Sequence, residues 1–149
     1  MGTRSRIGIQ LSDDSILSVY HHWDGYPEWL GRILTTHYNS REKVAELIDG
    51  GDMSVCWTKE RWTGEELAPY VKQIKEVEEY GPQYYSQRGE NCPPRLDSNV
   101  EEYLSETDCG EEFAYIFNRK GEWVCYDMHA FDDSKSPELT EIPAGALAV

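Results

Sequence analysis

FAYIFN (113–118) and EWVCYD (122–127) are the two runs whose reading decides the fold. Both are rich in aromatic and β-branched residues, both alternate, and Arg119-Lys120-Gly121 joins them. Two alternating runs across a short glycine-containing loop read as a β-hairpin. Just upstream, Ser98 and Glu101 have the spacing of a capping box and open a short acidic helix. Downstream, residues 132–149 are rich in acids, Pro and Ser, and read as an irregular tail.

The other end of the chain opens with a second hairpin. Ile7 and Ile9 share a face of one strand, the stretch from Ile16 to Tyr20 is β-rich, and Ser12-Asp13-Asp14 supplies the turn. Asp24-Gly25 is a turn signal, and Pro27 suits the first turn of a helix that sends Leu30, Ile33, Leu34 and His37 inward. Ser40 is the N-cap of a second helix that buries Val44, Leu47 and Ile48 and stops at Gly50-Gly51. Met53, Val55 and Trp57 alternate as a strand. Thr63 and Glu66 then predict a further helix with Leu67, Tyr70, Val71, Ile74 and Val77 on one face, beginning or kinking at Pro69. Residues 80–96, YGPQYYSQRGENCPPRL, have no usable period and read as a long loop. The expected architecture is one α+β domain over residues 1–131. It has an antiparallel sheet of about five strands, with helices packed on one face.

Composition narrows the function. The chain has 149 residues, enough for one domain that buries about 70% of its unfolded surface. Charged residues at 28% against 39% apolar indicate a globular rather than a disordered chain. No apolar run reaches the length of a membrane span. The opening stretch has no apolar h-region, and Arg6 stands where a myristoylation signal needs Ser or Thr, so the expectation is a cytoplasmic protein. Cys56, Cys92, Cys109 and Cys125 form no CxxC pair and are expected to be reduced and structural. The net charge is −14, and residues 97–149 hold three basic and thirteen acidic groups. That field opposes nucleic acid and anionic membranes and favours a basic protein partner.

SRIGI (5–9), then SVYHHWDGYPEWLGRIL (18–34) and Tyr38, resemble a family of small proteins encoded by tailed bacteriophages, cyanophages included. The motif is Tyr-x-His-Trp-Asp-Gly-Tyr-Pro followed by a Gly-x-x-Leu helix, matched here by Tyr20, His22, Trp23, Asp24, Gly25, Tyr26, Pro27, Gly31 and Leu34. The closing hairpin is similar as well, while the middle of the chain has no counterpart. The resemblance implies a setting, the cytoplasm of an infected bacterium, and no particular activity.

Four constellations are candidates for function. His22 as general base with Asp24 orienting it is the pair a hydrolase would use, served by a cysteine or an activated water. The chain has no GxSxG, HExxH, Walker or GxGxxG motif. His22, Asp24 and His37 are the alternative metal set, with His129 as a distant substitute. His21 and His22 point to opposite faces of a strand and do not ligate together. The structural reading is a His22–Asp24 hydrogen bond fixing the turn, with Trp23 in the core. Trp23, Tyr26 and Trp29 are the residues of a pocket for a flat ligand or of a wedge in the core. Tyr80, Tyr84 and Tyr85 have the composition of a protein-binding loop. Glu101, Glu102, Glu106, Asp108, Glu111 and Glu112 are an acidic run able to imitate phosphates. The reading this favours is a non-enzymatic acidic protein, without cofactor, that docks on a host protein. The alternative is a small ligand- or metal-binding domain or hydrolase centred on HHWDGYP.

Overall fold

The computed structural model describes residues 2–62, 74–106 and 109–145. The opening hairpin forms as expected from β1 (Ser5–Gln10) and β2 (Ile16–His21), in antiparallel register with Ile7 opposite Val19. The closing hairpin forms from β6 (Phe113–Phe117) and β7 (Trp123–Asp127). Its loop needs Gly121 at φ 80°, the left-handed region that glycine enters freely.

The two hairpins zip together. β1 lies parallel to β6, Ile7 opposite Tyr115. Outward on the other side come β3 (Met53–Trp62) and β4 (Ile74–Tyr84), and beyond β7 lies β8 (Glu138–Thr140). The order is β4-β3-β2-β1-β6-β7-β8, with β5 (Arg95–Asp97) paired to β2. The sheet is therefore mixed and has eight strands among the described residues, where about five antiparallel strands were expected. Strand β8 lies within the tail read as irregular. The parallel β1–β6 seam joins segments about a hundred residues apart, which no local signal records.

Helices cover both faces rather than one. On the first face, a π-helical turn (Pro27–Gly31) runs into α1 (Arg32–His37), followed by α2 (Arg41–Asp49). These pack Leu30, Ile33, Leu34, Val44, Leu47 and Ile48 on Ile7, Ile9, Val19, Tyr115 and Phe117. Ser40 caps α2 as expected, accepting a hydrogen bond from the Lys43 amide. On the opposite face, α3 (Val100–Ser105) lays Tyr103 over Ile16, Ala114 and Ile116. Its cap is Asn99, one residue beyond the expected Ser98, accepting from the Glu102 amide at 2.8 Å. The reason for two covered faces is in β6 itself, which is apolar at Ala114 and Ile116 as well as at Tyr115 and Phe117. A strand apolar on both sides needs cover on both.

Gly8 makes the second layer possible. A Cβ at this position would stand 2.8 Å from Ile16 Cγ2 and 3.3 Å from Tyr103 Cζ. The Tyr103 hydroxyl crosses the strand to donate to the Tyr115 carbonyl at 2.9 Å. Gly8→Ala should therefore cost about 1–3 kcal/mol through overpacking, measured as a lower denaturant midpoint with an unchanged slope.

The segment from Ile74 onward corrects the sequence reading most sharply. Ile74 and Val77 lie on strand β4, not on a helix, and the rest of that expected helix, 63–73, falls outside the described residues. Strand β4 is mostly exposed, so its sequence shows little alternation. Residues 80–96 are also not one long loop. They hold the end of β4, a 3₁₀ turn (Tyr85–Arg88) and β5. β3 is in register with β2 only at His21–Met53, so the rest of β3 pairs with β4 alone as a two-stranded ribbon.

Candidate functional site

In the HHWDGYP turn, the expected pair does not assemble. His21, the last residue of β2, is fully buried. Its Nε2 accepts the Cys56 amide at 3.0 Å. The proton is therefore on Nδ1, which faces Ser5 Oγ at 3.3 Å and donates to it. That tautomer cannot take a proton from Ser5, so Ser5 and His21 are not a nucleophile and its base. Burial, with a smaller contribution from His22, pushes the His21 imidazole down to about 3.

His22 faces the other way. Its Nδ1 lies 2.7 Å from the Tyr20 hydroxyl, and its ring meets Trp23 edge-on at 4.7 Å. Asp24 is exposed at φ 57°, and no hydrogen bond joins it to His22 among the described residues. Trp23 is 44% exposed and does not anchor the core. Trp29 does pack against the core and Tyr26 is half-buried, but no ring contact joins Trp23, Tyr26 and Trp29 among the described residues. The buried thiols offer no nucleophile, since burial pushes both Cys56 and Cys125 up to about 12.

His37 stands apart from His22. It stacks on Trp57, with ring centroids 3.6 Å apart and planes at 15°. Trp57 in turn stacks on Tyr80 at 5.5 Å, Tyr38 meets the indole edge-on, and Lys59 Nζ lies 5.3 Å from the Tyr80 centroid. Trp57 sits at φ 64° within an irregular stretch of the β3–β4 register. A bulky aromatic residue in the left-handed region is strained, and a bulge re-aims the side chain it carries. Arg61 bridges the irregular register by donating to the carbonyls of Glu60 and Glu79, both at 3.2 Å. Gly81 leaves space for that guanidinium. The result is an aromatic ladder across α1, β3 and β4 that ends on Tyr80, itself 41% exposed beside an open groove of about 1140 Å³.

No family model, curated protein or solved structure matches this chain.

The other tyrosines expected in a binding loop are structural. The Tyr84 hydroxyl donates to the Leu47 carbonyl at 2.6 Å, and its ring covers Gly50. Tyr85 stacks on Trp62 at 5.5 Å, and the Arg88 guanidinium lies within 4.7 Å of both ring centroids.

The acidic run divides. Glu101 and Glu106 are exposed and Glu102 and Glu112 half-buried, while Asp108 lies outside the described residues. Glu111 is buried, pairs with Arg6 at 3.5 Å and accepts the Cys109 amide at 2.9 Å. Asp97, Glu102 and Glu106 bring carboxylate oxygens within 4.8 Å of one another. Arg95 already meets that charge, with Nε 3.0 Å from Asp97 and Nη1 donating to the Glu106 carbonyl at 2.9 Å.

The sequence reading missed Trp57 as a site residue and offered His37 only as a metal ligand beside His22 and Asp24, because the ladder joins a helix end, a bulge and a strand far apart in the chain. Tyr80 was legible as a binding residue, as one of the loop tyrosines flanked by Gly, Pro and Gln.

Proposed function

We propose that this chain is a non-enzymatic binding protein that docks on another protein, with the β3–β4 ribbon as the contact. In the phage setting that the sequence resemblance implies, the partner is a host protein with a basic surface. The observation that carries the reading is the Trp57 ladder. A strained backbone at Trp57 holds an aromatic stack on the β3–β4 ribbon, and the stack ends on exposed Tyr80. Strain of this kind persists where the surroundings impose it, and it concentrates at functional sites. Tyr and Trp dominate the energetics of protein contacts, where a few buried aromatics carry most of the affinity.

The acidic field has a separate role. The net charge of −14 draws a basic partner at long range, and exposed Glu101 and Glu106 contribute to it. Such steering raises the association rate more than the final affinity.

Capture of a partner from host lysate tests this reading by comparing variants with the parent chain. Tyr80→Ala should lower the amount captured roughly tenfold or more while the chain stays folded. Reversal of Glu101 and Glu106 to Lys should weaken capture at low salt and matter little at high salt. Equal capture by Tyr80→Ala and the parent chain would remove the ribbon from the account.

A further inference from the structure

Strand β4 ends the sheet. It is 11 residues long, pairs with β3 on one side and has no strand on the other among the described residues. Every second residue of such a strand turns its backbone N–H and C=O outward, unpaired. Residues 74–80 are its exposed part, with only Val77 half-buried.

The charges on this edge do not serve the ribbon itself. Its register sets Glu60 directly opposite Glu76. Like charges facing each other across a strand pair destabilise it. Glu78 and Glu79 follow, and none of these four carboxylates has an ion-pair partner among the described residues. The ribbon's own cations are engaged elsewhere. Lys59 Nζ lies 5.3 Å from the Tyr80 centroid, and Arg61 donates to the carbonyls of Glu60 and Glu79 at 3.2 Å. Lys75 stands opposite Arg61, a second like-charge pair on the other face of the ribbon. Beside Glu60 and Glu76 runs a groove of about 510 Å³ with Thr58, Ile74 and Tyr80 on its walls. Ile74 is 51% exposed.

We propose that the outer edge of β4 takes an extended, Lys- or Arg-rich segment of the partner protein as an added strand. The inference rests on the reading of the β3–β4 ribbon as the contact, and names what docks there. Main-chain hydrogen bonds along the edge supply affinity, and alternate side chains of the added strand supply specificity. The long stems of Lys or Arg lie along Ile74 and Tyr80 while their heads meet the carboxylates. The same charges turn other occupants away. A second copy of this chain, docked β4 against β4, would bring its own glutamates to the seam, and an acidic segment would be repelled as well. Charge of any sign guards an exposed edge against indiscriminate pairing. The opposed Glu60 and Glu76 go further, because the cation that relieves them is one the ribbon does not supply.

Peptides of about eight residues, one alternating Lys and Thr and one alternating Glu and Thr, are the probes for the full chain. By fluorescence anisotropy the basic peptide should bind and the acidic one should not. Bound, the basic peptide should slow amide exchange at residues 76–80 roughly tenfold and leave β1 and β6 unchanged. N-methylation of its backbone keeps the charge, removes the amide donors and should weaken binding roughly tenfold or more. Glu76→Lys combined with Glu78→Lys, at two exposed positions, should weaken it as much. Absent binding of the basic peptide, unchanged exchange at 76–80, or equal affinity after N-methylation or after charge reversal would each overturn the added strand. If Tyr80→Ala still lowers partner capture in that case, the ribbon contact stands without it; if Tyr80→Ala captures as the parent does, both fall.

Discussion

The protein should lose stability steadily as the pH falls below about 6, and His21→Gln should flatten that dependence. His21 is fully buried as a neutral imidazole, its Nε2 taken by the Cys56 amide and its Nδ1–H facing Ser5. Folding depresses its pKa from 6.5 to about 3. The unfolded chain therefore binds a proton throughout that window, and the folded chain does not. The stabilisation is whole above the unfolded value and shrinks by about 1.4 kcal/mol per pH unit on the way down to the folded one. Burial lowers His22 and His37 as well, which adds in the same direction. Asp52, raised by burial, acts in the opposite sense within the carboxylate range. Glutamine at position 21 offers an acceptor to Cys56 and a donor to Ser5 and does not titrate. Urea midpoints between pH 4 and pH 7, about the range where an unperturbed histidine titrates, measure the slope for both chains. A parent chain with the shallow slope of His21→Gln would contradict the buried neutral assignment.

The second large effect belongs to the ion pair under α3. The Arg6 and Glu111 side chains are 8% and 1% exposed, and lie 3.5 Å apart. Arg6 Nε also donates to Ser18 Oγ at 3.0 Å. Removing either partner leaves a buried charge unmatched. Arg6→Ala and Glu111→Ala should each cost about 3–5 kcal/mol. Replacing both by apolar residues of similar volume, Arg6→Met with Glu111→Leu, should recover most of that loss, because two desolvation costs vanish with the attraction. Thermal melts of the three variants decide the point, and losses that simply add in the double variant would contradict it.

What the sequence disclosed and what it concealed have physical reasons. The two hairpins and α2 were legible because their signals are local: alternation around Asp13 and Gly121, and a cap at Ser40 ahead of Val44, Leu47 and Ile48. The α3 layer was half-legible. Ala114 and Ile116 make β6 apolar on its second side, and Gly8 opposite Ile116 marks a close approach. Strand β4 was hidden because its first part, residues 74–80, is almost wholly exposed and needs no period of two, so Glu76, Val77, Glu78 and Glu79 carry no alternation to read. The functional residues follow the same rule. His22 and Asp24 are neighbours in sequence, yet the backbone at Asp24 turns them apart. Trp57 and His37 are twenty residues apart in sequence, and only a bulge at a strained φ brings their rings together.

If the exposed end of the Trp57 ladder meets a partner protein, as proposed, contact will be made at Tyr80. A photo-crosslinking side chain placed at Tyr80, with Lys120 on the far hairpin loop as the control position, detects that contact. Incubated with lysate of the proposed bacterial host and illuminated, the chain labelled at position 80 should yield a discrete crosslinked species that the chain labelled at position 120 does not. No adduct from position 80, or the same adducts from both positions, would contradict the claim.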